Sequence, residues 1–289
     1  MDDVERSVEM ATKNVTSSSL LALNNAAAQY WKLAELQKWR NLCLVLRERA
    51  RELGNAFWGD VADVMVEIVA RYEDGDWNDA LENISRSAGA SASGPVRPYY
   101  ESWTTARIAV SRGEIAAANA AAEHTLAAGE AQGQPSPLAG AHALAGIVAL
   151  HDANTDKARA HAGEALAVWL NDPLGSGWML RDLMPLLPLG RTEEVVSIID
   201  QMRLRSGWHE AALAIVERDY RRAAEIYERV GARPAEAEAR LDAADSLIHR
   251  GEIEEGDREL ERSLAFWRSV GATAEIAKAE SLRRRQATG

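Results

Sequence analysis

The chain has 289 residues and a formal net charge of −11, with 44 acidic residues against 33 basic ones. A surface this acidic repels phosphate backbones, so the composition argues against direct binding of nucleic acid. The sequence has no apolar run long enough to span a membrane, and its single cysteine, Cys43, excludes an internal disulfide. We therefore expect a cytoplasmic protein without a membrane partner.

The first predicted element is a short amphipathic helix at residues 3–13. It has the pattern of the second helix of a hairpin whose first helix is missing. Residues 1–14 are therefore interpreted either as the remainder of a longer chain or as a cap on the helices that follow. We favour excision from a longer chain.

A six-residue turn signature follows and returns seven times, with small, polar and apolar residues in a fixed order. The copies are QKWRNL (37–42), GDWNDA (75–80), GEIAAA (113–118), ANTDKA (153–158), GRTEEV (190–195), RDYRRA (218–223) and GEIEEG (251–256). Their last residues are spaced 38, 38, 40, 37, 28 and 33 positions apart. Self-similarity at a period of ~34–40 residues predicts stacked helical hairpins, each of which buries its apolar face against its neighbours.

Each signature lies between two amphipathic helices. Before the second copy, Val61, Val64 and Ile68 recur at three- and four-residue steps, which is the period of one helix face. The first helices are predicted at 17–35, 56–73, 99–112, 138–151, 176–188, 208–217 and 235–250. Their partners are predicted at 38–53, 76–88, 115–130, 156–170, 192–205, 220–230 and 253–270. A last helix at 273–286 is expected to cap the array with Ile276 and Leu282.

Three segments rich in Gly, Ser and Pro, at 88–98, 129–140 and 171–177, are predicted to be loops between hairpins. They are too short to link separate domains, so the chain is interpreted as a single domain, 1–289. The repeats occupy 15–270 and the C-terminal cap 271–289. The expected fold is all-α, a right-handed superhelical solenoid of about seven helical hairpins with a C-terminal capping helix.

The last two repeats resemble tetratricopeptide repeats. In AADSLIHRGEIEEGDRELERSL the matching small and apolar positions are Ala243, Ala244, Leu247, Gly251, Ile253, Gly256, Leu260 and Ser263. In RDYRRAAEIYERVGARP they are Tyr220, Ala223, Tyr227 and Pro234. Earlier repeats match only in the turn and in the small residue after it.

The tail ELERSLAFWRSVGATAEIAKAESL, at 259–282, is similar to the end of the repeat region in large bacterial signalling proteins. Those proteins join a nucleotide cyclase or a helix-turn-helix domain to a STAND-type ATPase. The resemblance implies that this chain is a sensor or protein-interaction arm.

Motifs for catalysis are absent from the sequence. There is no Gly-Lys dipeptide for a P-loop, no CxxC and no GxSxG, so we expect neither an enzyme nor a cofactor. Among the histidines, His142 and His151 lie nine residues apart on one helix, about 13 Å along its axis, which is too far to share a metal ion. His161 could approach one of them, but no metal site is predicted.

The chain has nine tryptophans, and five of them are predicted to be packing residues. Trp39 and Trp77 occupy the same position of the repeated turn and are predicted to pack within the scaffold. Trp58, Trp169 and Trp267 lie on apolar stripes and are predicted to be core.

Trp103, Trp178 and Trp208 lie on first helices, which in tetratricopeptide repeats line the concave face. The candidate binding residues are Tyr100, Trp103, Arg107, Trp178, Arg181 and Trp208. Aromatic and Arg side chains together are typical of binding hot spots, whereas the alternative is that the rings fill gaps between irregular hairpins.

The expected function is therefore non-catalytic. A protein, a peptide or a small effector would bind in the concave groove, and binding would be transmitted through the curvature of the array. One alternative is a self-contained peptide-responsive regulator. Another is an oligomerising scaffold, because each end of a helical array is an apolar surface on which a second copy can pack.

Overall fold

The computed structural model describes residues 5, 6, 9, 16–87, 93–171, 180–202 and 205–288, and in these residues it has helices but no strands. The prediction of an all-α fold is confirmed. From Ser17 onward, fifteen helices pack mainly against their neighbours in sequence. None of the described helices combines the length and the apolar character that crossing a lipid bilayer requires.

The N-terminal helices agree closely with the predicted ones. They are α1 (Ser17–Lys32), α2 (Leu36–Glu52), α3 (56–74), α4 (Trp77–Ser87), α5 (Val96–Ser111), α6 (Ile115–Gln132), α7 (Pro135–His151) and α8 (Thr155–Asn171). Helix α3 consists of Ala56–Val64, a π-helical stretch Met65–Ala70, and Arg71–Asp74.

The C-terminal helices complete the described chain. They are α9 (Leu180–Leu183), α10 (Thr192–Gln201), α11 (Gly207–Val216), α12 (Tyr220–Val230), α13 (Arg233–His249), α14 (Ile253–Val270) and α15 (Thr273–Thr288).

The turn predicted at 37–42 is wrong, because these residues lie inside α2 and the left-handed residue of that turn is Ala34 (φ 63°). Trp39 therefore does not occupy the position of Trp77 in the turn.

The repeated turn has one backbone conformation, which begins at the first residue of the other six copies. Its left-handed residue is glycine in several copies, as at Gly113 (φ 74°), but Ala153 (φ 54°) and Arg218 (φ 61°) adopt the same conformation. The last residue of the signature is fully buried wherever it is alanine, as at Ala118, and a Cβ on Gly256 would lie 2.6 Å from Cγ1 of Ile248. Small residues at this position therefore allow the two helices to approach closely.

The predicted loop at 129–140 is wrong, because only Gly133 and Gln134 separate α6 from α7. Gly133 ends α6 in the left-handed conformation, with φ of 63°, which costs glycine little. Pro135 begins α7, where the amide hydrogen that proline lacks would have no partner in the helix. Proline and glycine here mark the ends of two helices rather than a loop.

Helix α9 is also shorter than predicted. After Leu180–Leu183 the chain continues as a 3₁₀ helix, Met184–Leu189, because Pro185 and Pro188 lack the backbone donors that an α-helix needs. Residues 176–179 of the predicted helix lie outside the described residues, as do 88–92 and 172–177 of the other two predicted loops.

The C-terminal helices pack against the N-terminal half of the chain. Helix α13 contacts the end of α3, and α15 contacts α5. The Thr273 hydroxyl donates to the backbone oxygen of Arg112 at 2.7 Å, and the Arg112 guanidinium donates to the backbone oxygen of Val270 at 3.2 Å. Near α11, the Trp208 indole donates to the backbone oxygen of Trp31 at 2.7 Å. The array therefore closes on itself rather than ending in two separate faces.

Apolar packing extends across this closure. One cluster of buried side chains joins Trp77 to Trp267, and another joins Trp39 to Trp208. Trp39 and Trp77 are buried, as predicted for scaffold residues. Cys43 belongs to the second cluster, where burial raises the pKa of its thiol to about 12, so the thiol is inert core.

Candidate functional site

The inner surface of the array forms a partly open cavity of about 650 Å³. Its lining comes mostly from one helix of each pair, namely α5, α7, α9, α11 and α13, together with α15. Alternate helices face inward because most turns between consecutive helices are only two or three residues long and reverse the chain direction. The prediction that first helices form the inner surface is consistent with this lining.

Arg181 of α9 lies between two tryptophan rings at the centre of the molecule. Its guanidinium carbon is 5.5 Å from the ring centroid of Trp103 and 5.6 Å from that of Trp208. Its Nη1 donates to Oε1 of Glu73 at 2.6 Å, and both side chains are almost completely buried. Cation–π attraction and a buried ion pair thus hold this arginine in place.

Arg107 of α5 lies beside the same Trp103 ring, 6.0 Å from its centroid. Its Nε donates to the Tyr72 hydroxyl at 3.2 Å, and its Nη2 donates to Oε1 of Glu238 at 3.1 Å. The Arg107 side chain is 5% exposed, whereas that of Glu238 is 33% exposed and lines the cavity. The pair therefore joins the buried centre to the cavity wall.

Several buried polar atoms here have no hydrogen-bond partner among the described residues. They include Nε and Nη2 of Arg181, both carboxylate oxygens of Asp182, and Nε1 of Trp103. The nearest opposite charges are Nε of Arg181 and Oδ1 of Asp182, 3.7 Å apart. Buried polar groups are normally hydrogen-bonded, so the centre can accept further polar contacts.

Carboxyl groups around the cavity hold raised pKa values. Burial raises the pKa of Asp182, although Arg181 and Arg107 act in the opposite direction. Burial raises the pKa of Glu275 to about 7; Glu238 and Asp242 act in the same direction, and Lys278 and Arg107 oppose it. Burial thus favours the neutral form of both carboxyl groups over the ionised form.

Four of the six predicted site residues come together at this centre. Trp103, Arg107, Arg181 and Trp208 are all at most 5% exposed, so they are covered by the closed array rather than presented on an open groove. Tyr100 does not line the cavity; its ring centroid is 5.1 Å from that of Tyr99, and it packs at the edge of the apolar cluster that contains Trp39 and Trp208. Trp178 lies outside the described residues.

Four acidic members of the site were missed by the sequence reasoning, namely Glu73, Asp182, Glu238 and Glu275. In an acidic chain each of them resembles an ordinary solvent-facing charge. Arg181 and Asp182 nevertheless interrupt the otherwise apolar run from Leu180 to Leu189, and a charged pair in such a run is a signal of a buried polar site.

His142 and His161 are in direct contact, as the sequence suggested they could be. Their Nδ1 atoms are 3.2 Å apart, and both rings are partly buried. In the described part of the chain, no group of three or more His, Cys, Asp or Glu side chains is arranged to hold a metal ion.

No protein-family model matches the chain, and a comparison with curated proteins gives no match. The tetratricopeptide resemblance thus rests on the motif positions and on the pairing of the helices.

Proposed function

We propose that the chain is a non-catalytic ligand-binding module, built as a right-handed superhelical solenoid of seven tetratricopeptide-like hairpins with α15 as the C-terminal cap. The pairing of consecutive helices from α1–α2 to α13–α14 supports the hairpin count. The turn between α5 and α6 and that between α13 and α14 are three residues long, which suits tetratricopeptide hairpins.

The ligand-binding site of this module is the central cavity. The observation that carries the proposal is its volume of about 650 Å³ together with the incompletely hydrogen-bonded guanidinium of Arg181 in its wall. Pockets for small ligands typically enclose about 300–1,000 Å³ and combine apolar walls with a few polar groups. A short peptide segment or a small effector fits this description better than a folded partner.

Binding would act on the rest of the protein through closure of the array. The cavity is bounded both by α5 and α7 and by the C-terminal helices α13 and α15. A ligand that contacts both groups of helices favours the closed arrangement over any arrangement in which they separate. This is how a bacterial sensor or interaction arm would transmit a signal to an effector domain.

A thermal-shift screen with short peptides and small effectors tests the proposal, with calorimetry to measure the affinity of each hit. Ser246 lines the cavity and is partly buried, so Ser246→Trp would occupy ligand space. Ser269→Trp, an exposed change on α14 away from the cavity, is the matched control. We expect Ser246→Trp alone to abolish the shift. Hits that bind both variants equally would place the binding site elsewhere and contradict the proposal.

An oligomerising scaffold is the second candidate, favoured by one observation. Large apolar side chains are exposed near the N-terminal end of the array, among them Leu21 (50%), Leu44 (42%) and Phe57 (42%). Exposed apolar side chains of this kind would lose water in contact with a second copy. Light scattering tests this function: a dimer that Leu44→Glu dissociates would support it, and a wild-type monomer at all concentrations would contradict it.

A further inference from the structure

We propose that the ligand of the central cavity is an amphipathic amine, with an apolar body and a primary ammonium group that contacts Glu275. This inference rests on the proposed binding function and specifies the ligand class. Either a small alkyl amine or the free N-terminus of a short apolar peptide has the required chemistry.

One side of the cavity is lined by apolar side chains, which would contact the apolar body of the ligand. Arg181 of α9 and His151 of α7 line the cavity here, but most lining side chains of α7, of the 3₁₀ helix Met184–Leu189 and of α11 are apolar. The apolar ones include Ile147, Leu150, Met184, Leu187, Ile215 and Val216. An aliphatic chain or leucine-like side chains placed on this surface would lose water on both sides of the contact.

The other side of the cavity carries carboxyl groups, which would contact the ammonium group of the ligand. The cavity there is lined by Glu238 and Asp242 of α13 and by Glu275 of α15. Because α15 packs against α5, the charged lining extends from α13 through α15 to α5. Glu275 is only 7% exposed, and its carboxylate forms no hydrogen bond or ion pair within the described residues. Lys278, the nearest cation on α15, is paired with Asp242 at 3.9 Å instead.

Cationic and carboxyl side chains line the cavity in equal numbers, so the ion pairs among them determine which group is left for a ligand. Among the described residues, the cationic side chains there are Arg107, Arg181, Arg218 and Lys278. The carboxyl groups that line it are Glu238, Asp242, Asp245 and Glu275. Ion pairs join Glu238 to Arg107, Asp242 to Lys278 and Asp245 to Arg285. Glu275 is therefore the carboxyl group in the described lining that is left to pair with an added ammonium group.

Calorimetry with matched probes tests the inference. n-Octylamine, 1-octanol and octanoate share the apolar chain and differ in charge, and Leu-Leu-Leu-amide is compared with its N-acetyl form. We expect octylamine and the free peptide to bind at least tenfold more tightly than their neutral or anionic counterparts. Binding of the alkyl amine alone would identify a small molecule as the source, and binding of the free peptide would identify an N-terminus.

Glu275→Gln keeps the shape of the side chain and removes its charge. It should weaken octylamine binding at least tenfold and leave 1-octanol binding unchanged. Because Glu275 has no ion pair to lose, the variant should fold as the wild type does. Glu254→Gln, an exposed change on α14 with the same effect on net charge, is the control and should leave octylamine binding unchanged.

The affinity for octylamine should also rise roughly fourfold between pH 6.5 and 8, as Glu275 ionises from a pKa of about 7. The other groups that face it are Glu238 and Asp242 on α13, Lys278 on α15, Arg107 on α5 and His151 on α7. Burial lowers the pKa of His151 below its ordinary value, so His151 is largely neutral in this window. Glu275→Gln should remove the pH dependence.

Three results would overturn the inference: equal binding of octanol or octanoate, unchanged amine binding in Glu275→Gln, or no binding by any probe. If octanol bound and Ser246→Trp abolished that binding, the cavity would still be a ligand site and only the amine class would be wrong. The proposed function and this inference therefore fail separately.

Discussion

Arg107 on α5 and Glu238 on α13 form an ion pair with 3.1 Å between Nη2 and Oε1, although 131 residues separate them in sequence. The pair connects the N-terminal half of the array to its C-terminal half. Phe266 and Trp77, with ring centroids 6.0 Å apart, make a second such connection. Closure of the array thus depends on particular long-range contacts.

The first prediction concerns this ion pair. Glu238→Gln should destabilise the protein by about 1–2 kcal/mol, because the buried Arg107 loses a charged hydrogen-bond partner. Urea unfolding followed by circular dichroism measures the change. The exposed pair Arg221–Glu255 offers a control, since Glu255→Gln should change stability by less than about 0.5 kcal/mol. Equal effects of the two substitutions would show that the Arg107–Glu238 pair does not stabilise closure.

The second prediction concerns the buried pair Arg181–Glu73. Arg181→Met should cost about 3–5 kcal/mol, because it leaves the fully buried carboxylate of Glu73 without a cation. Adding Glu73→Gln to Arg181→Met should recover part of that loss, since the second change removes the uncompensated charge. Denaturant unfolding of the two single variants and the double variant forms a double-mutant cycle. Purely additive effects would contradict coupling between the two side chains.

The third prediction concerns the close contact of α13 and α14. Alanine normally stabilises a helix by about 1 kcal/mol relative to glycine. At Gly256 the new Cβ would lie 2.6 Å from Cγ1 of Ile248, so Gly256→Ala should instead destabilise the protein by about 1 kcal/mol.

Gly59→Ala is the matched control for this substitution. A Cβ on Gly59 of α3 would meet nothing nearer than Cβ of Ala50 at 3.9 Å, so this change should raise the melting temperature. Calorimetry measures the melting temperatures of both variants and of the wild type. A gain in stability at Gly256 would mean that the helices do not pack as closely as described.

The fourth prediction concerns pH. Burial lowers the pKa of both His142 and His161 from the ordinary value of 6.5, and each ring lies against the other. The folded state therefore binds fewer protons than the unfolded state as pH falls through 6.5. The contribution of His142 and His161 to the free energy of unfolding is fully present above pH 6.5 and is lost as the pH falls below that value.

His142→Gln should make the melting temperature less sensitive to acid between pH 7 and 5. Glu130 and Glu164 also face His142 and favour its protonation, which limits the size of the effect. His124→Gln changes an exposed histidine on α6 and is the matched control, which should leave the wild-type melting curve in place. The prediction is wrong if both variants follow the wild-type curve.

Much of the local structure was available from the sequence. The predicted helices at 220–230 and 253–270 have the same ends as α12 and α14. The apolar period and the chemistry of the repeated turn act over a few residues, so six of the seven copies were identified from their own segments. The first was placed at 37–42, inside α2, because the turn at Ala34 has no glycine to mark it. The burial of Trp39, Trp77 and Cys43 followed from the same local pattern.

The sequence by itself determined an all-α chain of paired helices and brought Trp103, Arg107, Arg181 and Trp208 forward as one group. Only the tertiary structure decided that these side chains are enclosed and that Glu73, Glu238 and Glu275 join them. The reason is geometric: closure depends on small rotations between successive helix pairs, which add up over more than a hundred residues. The sequence of one helix pair does not show the sum of these rotations. That sum determines whether the inner surface is open or forms a cavity.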